Sequence, residues 1–341
     1  MLKRNQSAPK IAWIFVFNIT TVRIVMPKIS KVFDVSNSSA RPPSRGLGRP
    51  VENSIVSYLK KYQNQIGLLF VPSIEECDVV FTNDVFPKSV LKYKGSKLFV
   101  KRMDGIFLQE SLFKRNEKYN EAAVLADQVI FISKFSRQSY FSNFGRLPNA
   151  FVINNTADPE VFYPPNNPIK NWRGIFTAIA TDWNREEKRF NSIHSFFRAH
   201  PELYLNLVGA VPKKKGALTN NIQCFGYVSE TKSAEILRCS DALINLSYQD
   251  PCPKIVMQAL FCGCPVLYST SGGVPEIVTA GLGVGIYDGD PDDADIYNFI
   301  PIPSRFDIEE GYNRLVGQFP SCKEAVLSLD RKTMFFDTMP L

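Results

Sequence analysis

The sequence predicts an α/β protein built from two Rossmann-like parallel-sheet domains that face a central cleft. Three observations predict it. Short β-rich runs alternate with amphipathic helical segments, the rhythm of βαβ units. The alternation occurs twice, on either side of the polar, proline-rich stretch "DPEVFYPPNNPIKNWRG" (158–174). The chain has 341 residues, 45% of them apolar, which is enough for two cores of ordinary domain size. The expected division is 1–18 as an extension or first strand, 19–163 and 164–320 as the two domains, and 321–341 as a tail.

In chain order, "IAWIFVF" (11–17) follows Lys3, Arg4 and Lys10 as a signal peptide would. Its apolar run is short, no small-residue cleavage site follows, and polar residues 18–21 with Arg23 rule out a span, which needs about 20 apolar residues. A first strand is expected there. "VRIVM" (22–26), "CDVVFT" (77–82), "KLFVKRM" (97–103), "QVIFIS" (128–133) and "AFVIN" (150–154) read as first-domain strands. In "RPVENSIVSYLKKY" (49–62), Val51, Ile55, Tyr58, Leu59 and Tyr62 recur at helical spacing. Pro50 sits where its missing N–H does no harm.

The second series is "GIFTAIA" (174–180), "YLNLVGA" (204–210), "IQCFGYV" (222–228), "DALINLS" (241–247) and "CPVLYS" (264–269). Phe190, Ile193 and Phe197 line one face of a helix near 186–199, and Ala234 with Leu237 mark another. Beyond about residue 283 the pattern weakens. A helix is expected at "DIEEGYNRLVGQF" (307–319), and the last twenty residues are not assigned. Ligands of such open sheets sit at the carboxyl ends of the strands, so the cleft between two sheets is the natural site.

The net charge of +7 suits an acidic ligand or an anionic membrane surface, but no amphipathic anchor supports membrane contact. It is too small for nucleic acid, and no basic face with interleaved aromatics occurs. "KKK" (213–215) reads as a solvated loop. The seven cysteines are odd in number and lack CxxC or Cys/His metal spacing, which implies reduced thiols and a cytoplasmic protein.

The most informative stretch is "DPCPKIVMQALFCGCPVLYSTSGGVPE" (250–276). Pro253 opens a helix and Gly263 ends it. The free N–H groups at its start, with the helix dipole, favour a phosphate. Asp250, just upstream, can accept hydrogen bonds from sugar hydroxyls. The amide of Gln258 can both donate to and accept from a ribose diol. A buried helix with an incidental polar residue would look the same.

The order "S-x-x-D…Q-A-L-x-C-G-x-P-V…S-x-G-G-x-P-E" resembles the retaining GT-B glycosyltransferases of family 4. Asp250 matches the family's first acid by charge, and Gln258 stands where its second glutamate is expected. "ADQVIFISKFSRQSYFSNFG" (126–145), "VINNTADPEVFYP" (152–164) with Asn155 and Asp158, and "ATDWNREEKRF" (180–190) resemble further family segments in the same order. The resemblance covers residues 20 to 285. It implies a nucleotide-diphosphate sugar as co-substrate in the second domain and an acceptor hydroxyl of a glycan, lipid or protein in the first. It also implies retention of configuration, no cofactor and no metal.

The resemblance places Arg185 and Lys188 at the donor diphosphate. Leaving-group charge there is stabilised by about 3 kcal/mol per well-placed cation. Further donor contacts are implied at Gly46, Gly48, Lys254, Ile255, Gln258, Gly272, Gly273 and Glu276. Asp104, in "RMDG" (102–105), stands where family members often carry a histidine, so Asp104, Lys188, Arg185 and Asp250 form the expected catalytic set. His194 and His200 lie outside every motif and read as structural. "DGD" (288–290) and "DAD" (293–295) read as turn residues rather than a metal site. A catalytically weakened GT-B-like binding or scaffold protein is the alternative, favoured by Gln258 and by Asp104 standing where the family's histidine is expected. A sugar-nucleotide epimerase is disfavoured because histidines and acids are not gathered at the cleft. A dinucleotide oxidoreductase is disfavoured because no G-x-G-x-x-G follows a strand.

Overall fold

The computed structural model describes residues 15–18, 21–24, 30–35, 55–210, 218–288 and 300–337. Strands β1 (Phe15–Asn18) and β2 (Thr21–Ile24) pair antiparallel as a two-stranded ribbon. The segment expected to open the first sheet therefore lies outside it. The sheet opens instead with β3 (Ser30–Asp34), a five-residue strand that carries Lys31 and Asp34. Composition hid it, because the pairing decides: β3 lies parallel between two neighbours and buries Val32 completely.

The first lobe continues with helix α1 (Ile55–Lys61), β4 (Leu68–Phe70), β5 (Val79–Thr82), β6 (Leu98–Met103), α2 (Phe113–Leu125), β7 (Gln128–Phe131), α3 (Lys134–Phe144) and β8 (Ala150–Val152). Its six strands are all parallel, in the order β4-β3-β5-β6-β7-β8. Gly46 and Gly48, two of the expected donor contacts, and "KKK" (213–215) lie outside the described residues.

The second lobe runs β9 (Ile175–Asp182), α4 (Phe190–Ala199), β10 (Tyr204–Ala210), β11 (Ile222–Gly226), α5 (Glu230–Arg238), β12 (Ala242–Asn245), α6 (Lys254–Phe261), β13 (Val266–Ser269), α7 (Val274–Ile277) and β14 (Gly283–Ile286). Its order is β11-β10-β9-β12-β13-β14, which counted within the lobe is the dinucleotide-binding order 3-2-1-4-5-6. β14, two glycines among four residues, carries too little side chain to be read as a strand.

Two helices differ from expectation. The one placed near 186–199 begins only at Phe190, because Arg189 takes a left-handed φ of 50° and separates it from a single 3₁₀ turn at Glu186–Lys188. The helix expected over 307–319 is α8 (Arg305–Leu327), which runs on through Pro320. Helix α9 (Arg331–Asp337) then returns to the first lobe, where the Phe335 ring meets Tyr58 and Tyr62 at centroid distances of 6.3 and 4.7 Å.

One apolar core runs unbroken across the junction. It joins Val32, Tyr58 and Val79 of the first lobe to Ala157 and Phe162 of the linker, then to Val256, Leu260 and Val274 of the second lobe. Burial on this scale stabilises by about 25 cal/mol per Å² of apolar surface, so the lobes are packed on each other rather than merely tethered.

Candidate functional site

In the second sheet the connections reverse direction between β9 and β12. Loops leaving the carboxyl ends of two such strands diverge and leave a crevice. Residues 183–189 leave β9 and 246–251 leave β12. They are tied together by Tyr248 N–H donating to the Glu187 carbonyl at 2.8 Å and by the Arg189 guanidinium lying 4.8 Å over the Tyr248 ring.

The loops put Lys188 beside Asp250. The ammonium donates to Asp250 Oδ2 at 2.7 Å and to Ser247 Oγ at 3.4 Å, and the side chains of Lys188 and Asp250 are 14% and 16% exposed. Arg185 Nε donates to Glu187 Oε1 at 2.7 Å, holding its guanidinium at the same rim. Beneath them Arg189 is buried. It pairs with Asp288 and donates to the Leu246 carbonyl at 3.2 Å. Asp288 in turn accepts from Ser269 Oγ at 2.7 Å and from the Ser271 amide at 3.2 Å. This network fixes the β13–α7 loop against the Lys188 turn. It also accounts for Asp288 as a buried anion matched by a guanidinium; residues 290, 293 and 295 lie outside the described residues.

Across the gap stands the loop after β6. Asp104 is 73% exposed and accepts from Arg102 Nη1 at 2.7 Å. Arg102 also donates to Asn155, whose Nδ2 donates to the Cys252 carbonyl at 2.7 Å, so Asp104 is anchored through the linker to the second lobe. Asn116 on α2 accepts from Phe107 N–H at 2.8 Å and donates to its carbonyl at 2.7 Å, as a neighbouring strand would. Phe107 is thereby fixed. Arg115 lies 4.6 Å over its ring and bonds Tyr119 Oη at 3.0 Å. Lys101, fully buried below, donates to the Asn83 and Arg102 carbonyls and lies 4.7 Å over Tyr119. Burial pushes its ammonium down to about 7.

These walls enclose a cleft of about 550 Å³ whose lining includes Asp104, Phe107, Arg115, Tyr119 and Ser139 from the first lobe and Arg185, Lys188 and Asp250 from the second. The four residues of the expected catalytic set, from distant points in the chain, thus meet at one opening. Of the remaining predicted contacts, the described ones do not line it. Lys254 opens α6 on the linker side, its ammonium 5.9 Å over the Tyr58 ring and lowered by burial to about 8. Ile255 packs on the core and Gln258 is buried in α6.

Gly272 and Gly273 are needed for close approach. A Cβ on Gly272, at φ 87°, would stand 2.7 Å from the Asp250 carbonyl oxygen, and one on Gly273 would stand 1.8 Å from that of Pro251. They let the β13–α7 loop lie flat against the Asp250 loop. Glu276 lies elsewhere again, with both carboxylate oxygens against the amino end of α3 in the first lobe. His194 stacks on Phe190 at 5.6 Å and His200 bonds Glu202 at 3.0 Å; neither lines the cleft.

Sequence reading missed Arg189, Asn116, Phe107, Arg115 and Tyr119. Asn116 alone carried a signal, a poor helix former in the middle of a helical run. The others are ordinary residues until the fold brings them together.

Residues 189–295 match the family described as glycosyl transferases group 1. A curated relative, a phosphatidylinositol N-acetylglucosaminyltransferase subunit of Arabidopsis thaliana, is 24% identical over 204 residues, 55% of this chain; the chain spans 45% of that relative's length. Among solved structures, Anabaena Alr3699/HepE, in complex with UDP and glucose, superposes with a TM-score of 0.59 at 14% identity, covering 90% of this chain and 97% of that one. Sucrose-phosphate synthase from Thermosynechococcus elongatus gives 0.57 at 14% identity, with 87% and 79% covered. A glycosyltransferase from Rickettsia africae gives 0.56 at 16% identity, with 92% and 96% covered. In fold the chain is a GT-B protein, and its second lobe carries the sequence pattern of glycosyl transferases group 1.

Proposed function

We propose that the chain is a glycosyltransferase, moving a sugar from a nucleotide-diphosphate donor held by the second lobe to a hydroxyl of an acceptor lying along the first-lobe wall. The observation that carries this reading is the Lys188–Asp250 pair at the sheet's reversal point, facing Asp104 across the cleft. As the glycosidic bond breaks, negative charge gathers on the leaving diphosphate. Lys188 and Arg185 are fixed cations at that place, and fixed charges need no reorganisation during the reaction. Asp250, already bonded to the Lys188 ammonium, is oriented to accept from a sugar hydroxyl next to the phosphate. Asp104, exposed but anchored by Arg102, faces the acceptor hydroxyl.

The transfer proceeds with retention: the acceptor attacks the face the diphosphate leaves, and a departing phosphate oxygen takes the acceptor proton. No step calls on an enzyme nucleophile, and the two cations take the charge-stabilising part that a divalent ion plays elsewhere. Alr3699/HepE binds UDP and UDP-glucose, which makes UDP-sugars the first donors to try. The name of the curated relative makes phosphatidylinositol the first acceptor. No helix among the described residues is long and apolar enough to cross a membrane. The test is a hydrolysis and transfer screen over UDP-, GDP- and ADP-sugars with wild type and Lys188→Ala. Turnover that depends on Lys188 supports the reading; no turnover of any donor by the wild type sinks it.

A further inference from the structure

The amino end of α3 is completed by the other lobe. A helix leaves its first four backbone N–H groups without intrahelical partners. In α3, counted from the N-cap, two are satisfied locally: the Ser133 amide donates to Ser136 Oγ at 3.1 Å, and the Ser136 amide to Ser133 Oγ at 2.9 Å. The other two, on Lys134 and Phe135, donate to Glu276 Oε2 and Oε1, each at 2.7 Å. Glu276 is 141 residues further along, on α7 of the second lobe. A carboxylate at a helix amino terminus is favoured by the dipole, and charge-assisted bonds of this length are the strong kind.

The position matters for the cleft. Ser136 and Ser139, on the turns of α3 that follow, line one side, while Asp250 and Pro251 line the other. The loop that leads into Glu276 touches both. A Cβ on Gly273 would stand 1.8 Å from the Pro251 carbonyl oxygen and 3.1 Å from Ser133 Cβ. The Asp250 loop, the glycine pair and the α3 cap therefore form one continuous contact, and Glu276 is its polar fastening. With both oxygens bound to α3, the carboxylate is committed to the lobe interface rather than to a donor.

We propose that Glu276 is a positioning residue: by capping α3 from the opposite lobe it holds the two cleft walls in register, so that donor and acceptor meet at the correct offset. The activity part of this inference rests on the glycosyltransferase reading; the capping part does not. In the test, Glu276→Gln keeps the shape and removes the charge, and Glu276→Ala removes both. Hydrogen exchange is followed by mass spectrometry on the peptide spanning 133–141. Both variants are expected to speed exchange at Lys134 and Phe135 about tenfold or more, since each loses bonds to a charged acceptor. Transfer to acceptor is expected to fall about tenfold, while the Kd of the preferred nucleoside diphosphate stays within about twofold, because on the proposed function the second lobe holds the nucleotide.

Unchanged exchange in both variants overturns the proposal. So does a loss of nucleotide affinity as large as the loss of transfer, which would return Glu276 to the donor. If the wild type turns over no nucleotide-sugar, the proposed function fails, and the exchange result still judges the cap. Should Glu276→Ala fail to fold, the isosteric Glu276→Gln carries both measurements.

Discussion

In the second lobe the strand order reverses between β9 and β12, and the loops leaving those two strands carry Arg185, Lys188 and Asp250. In the first lobe the described cleft wall comes from the loop after β6 and from α2 and α3, and it is mostly aromatic and apolar: Phe107, Leu108, Leu112, Tyr119 and Phe135. Two six-stranded parallel sheets thus present different chemistry to one space. The charged side sits where a sheet leaves backbone groups and divergent loops for an anion. The apolar side depends on side-chain packing, with Asn116 fixing Phe107 and Asp104 as the acid. A donor diphosphate demands charge at a set place. On the proposed function, an acceptor along the first-lobe wall demands mainly shape, so that wall is free to differ.

That contrast is open to attack from each side. The largest effect is expected in the second lobe. Arg189→Met strands Asp288 as a buried charge, and urea denaturation should show a loss of about 3–5 kcal/mol. A loss under about 1 kcal/mol would mean the charged floor is not a structural unit. Next, Lys188→Ala should lower donor turnover about a hundredfold with the thermal midpoint nearly unchanged. Equal loss from an aromatic substitution such as Phe107→Ala in a donor-hydrolysis assay would erase the division of labour.

Asn116→Ala should cost about 2 kcal/mol, through two backbone groups left unpaired. It should lower transfer to acceptor and spare donor hydrolysis; the ratio of the two rates is the readout. The fourth test is one of pH. Lys101 titrates near 7 in the folded protein against an ordinary value of 10.5, so between those values the unfolded chain binds more protons. Stability from this group therefore rises with pH across that window, by up to about 1.4 kcal/mol per unit. Lys101→Met should flatten the rise in thermal midpoint between about pH 7 and 10. The smallest effect is Gln258→Glu, expected to tighten donor binding by about 1 kcal/mol if the side chain meets a ribose. Unchanged affinity by calorimetry would leave Gln258 as a core residue of α6.

The second lobe was the more legible of the two. Its central strands β12 and β13 are runs buried on both faces, and β10 is legible to the residue. The first lobe hides β3, whose burial comes from its neighbours rather than from composition, and β4, an apolar run of only three residues. Asp104, Lys188, Arg185 and Asp250 were named from motifs, and the fold brings them to one cleft. Glu276 was named from the same motifs, yet its carboxylate lies on α3, because a motif fixes a residue's neighbours along the chain and not the surface it meets.

By itself the sequence determined the α/β class, the doubling of the sheet and the loops that carry charge. The first two follow from local hydrophobic period and turn chemistry, and the third from the motifs that resemble a known family. Only the tertiary structure decided that Arg189 would be buried against Asp288, that α9 would return to Tyr58 and Tyr62, and that Glu276 would cap a helix of the opposite lobe. Those contacts join residues far apart in the chain, and what selects them is the burial of apolar surface and the pairing of buried polar groups, both of which are settled only when the whole chain has folded.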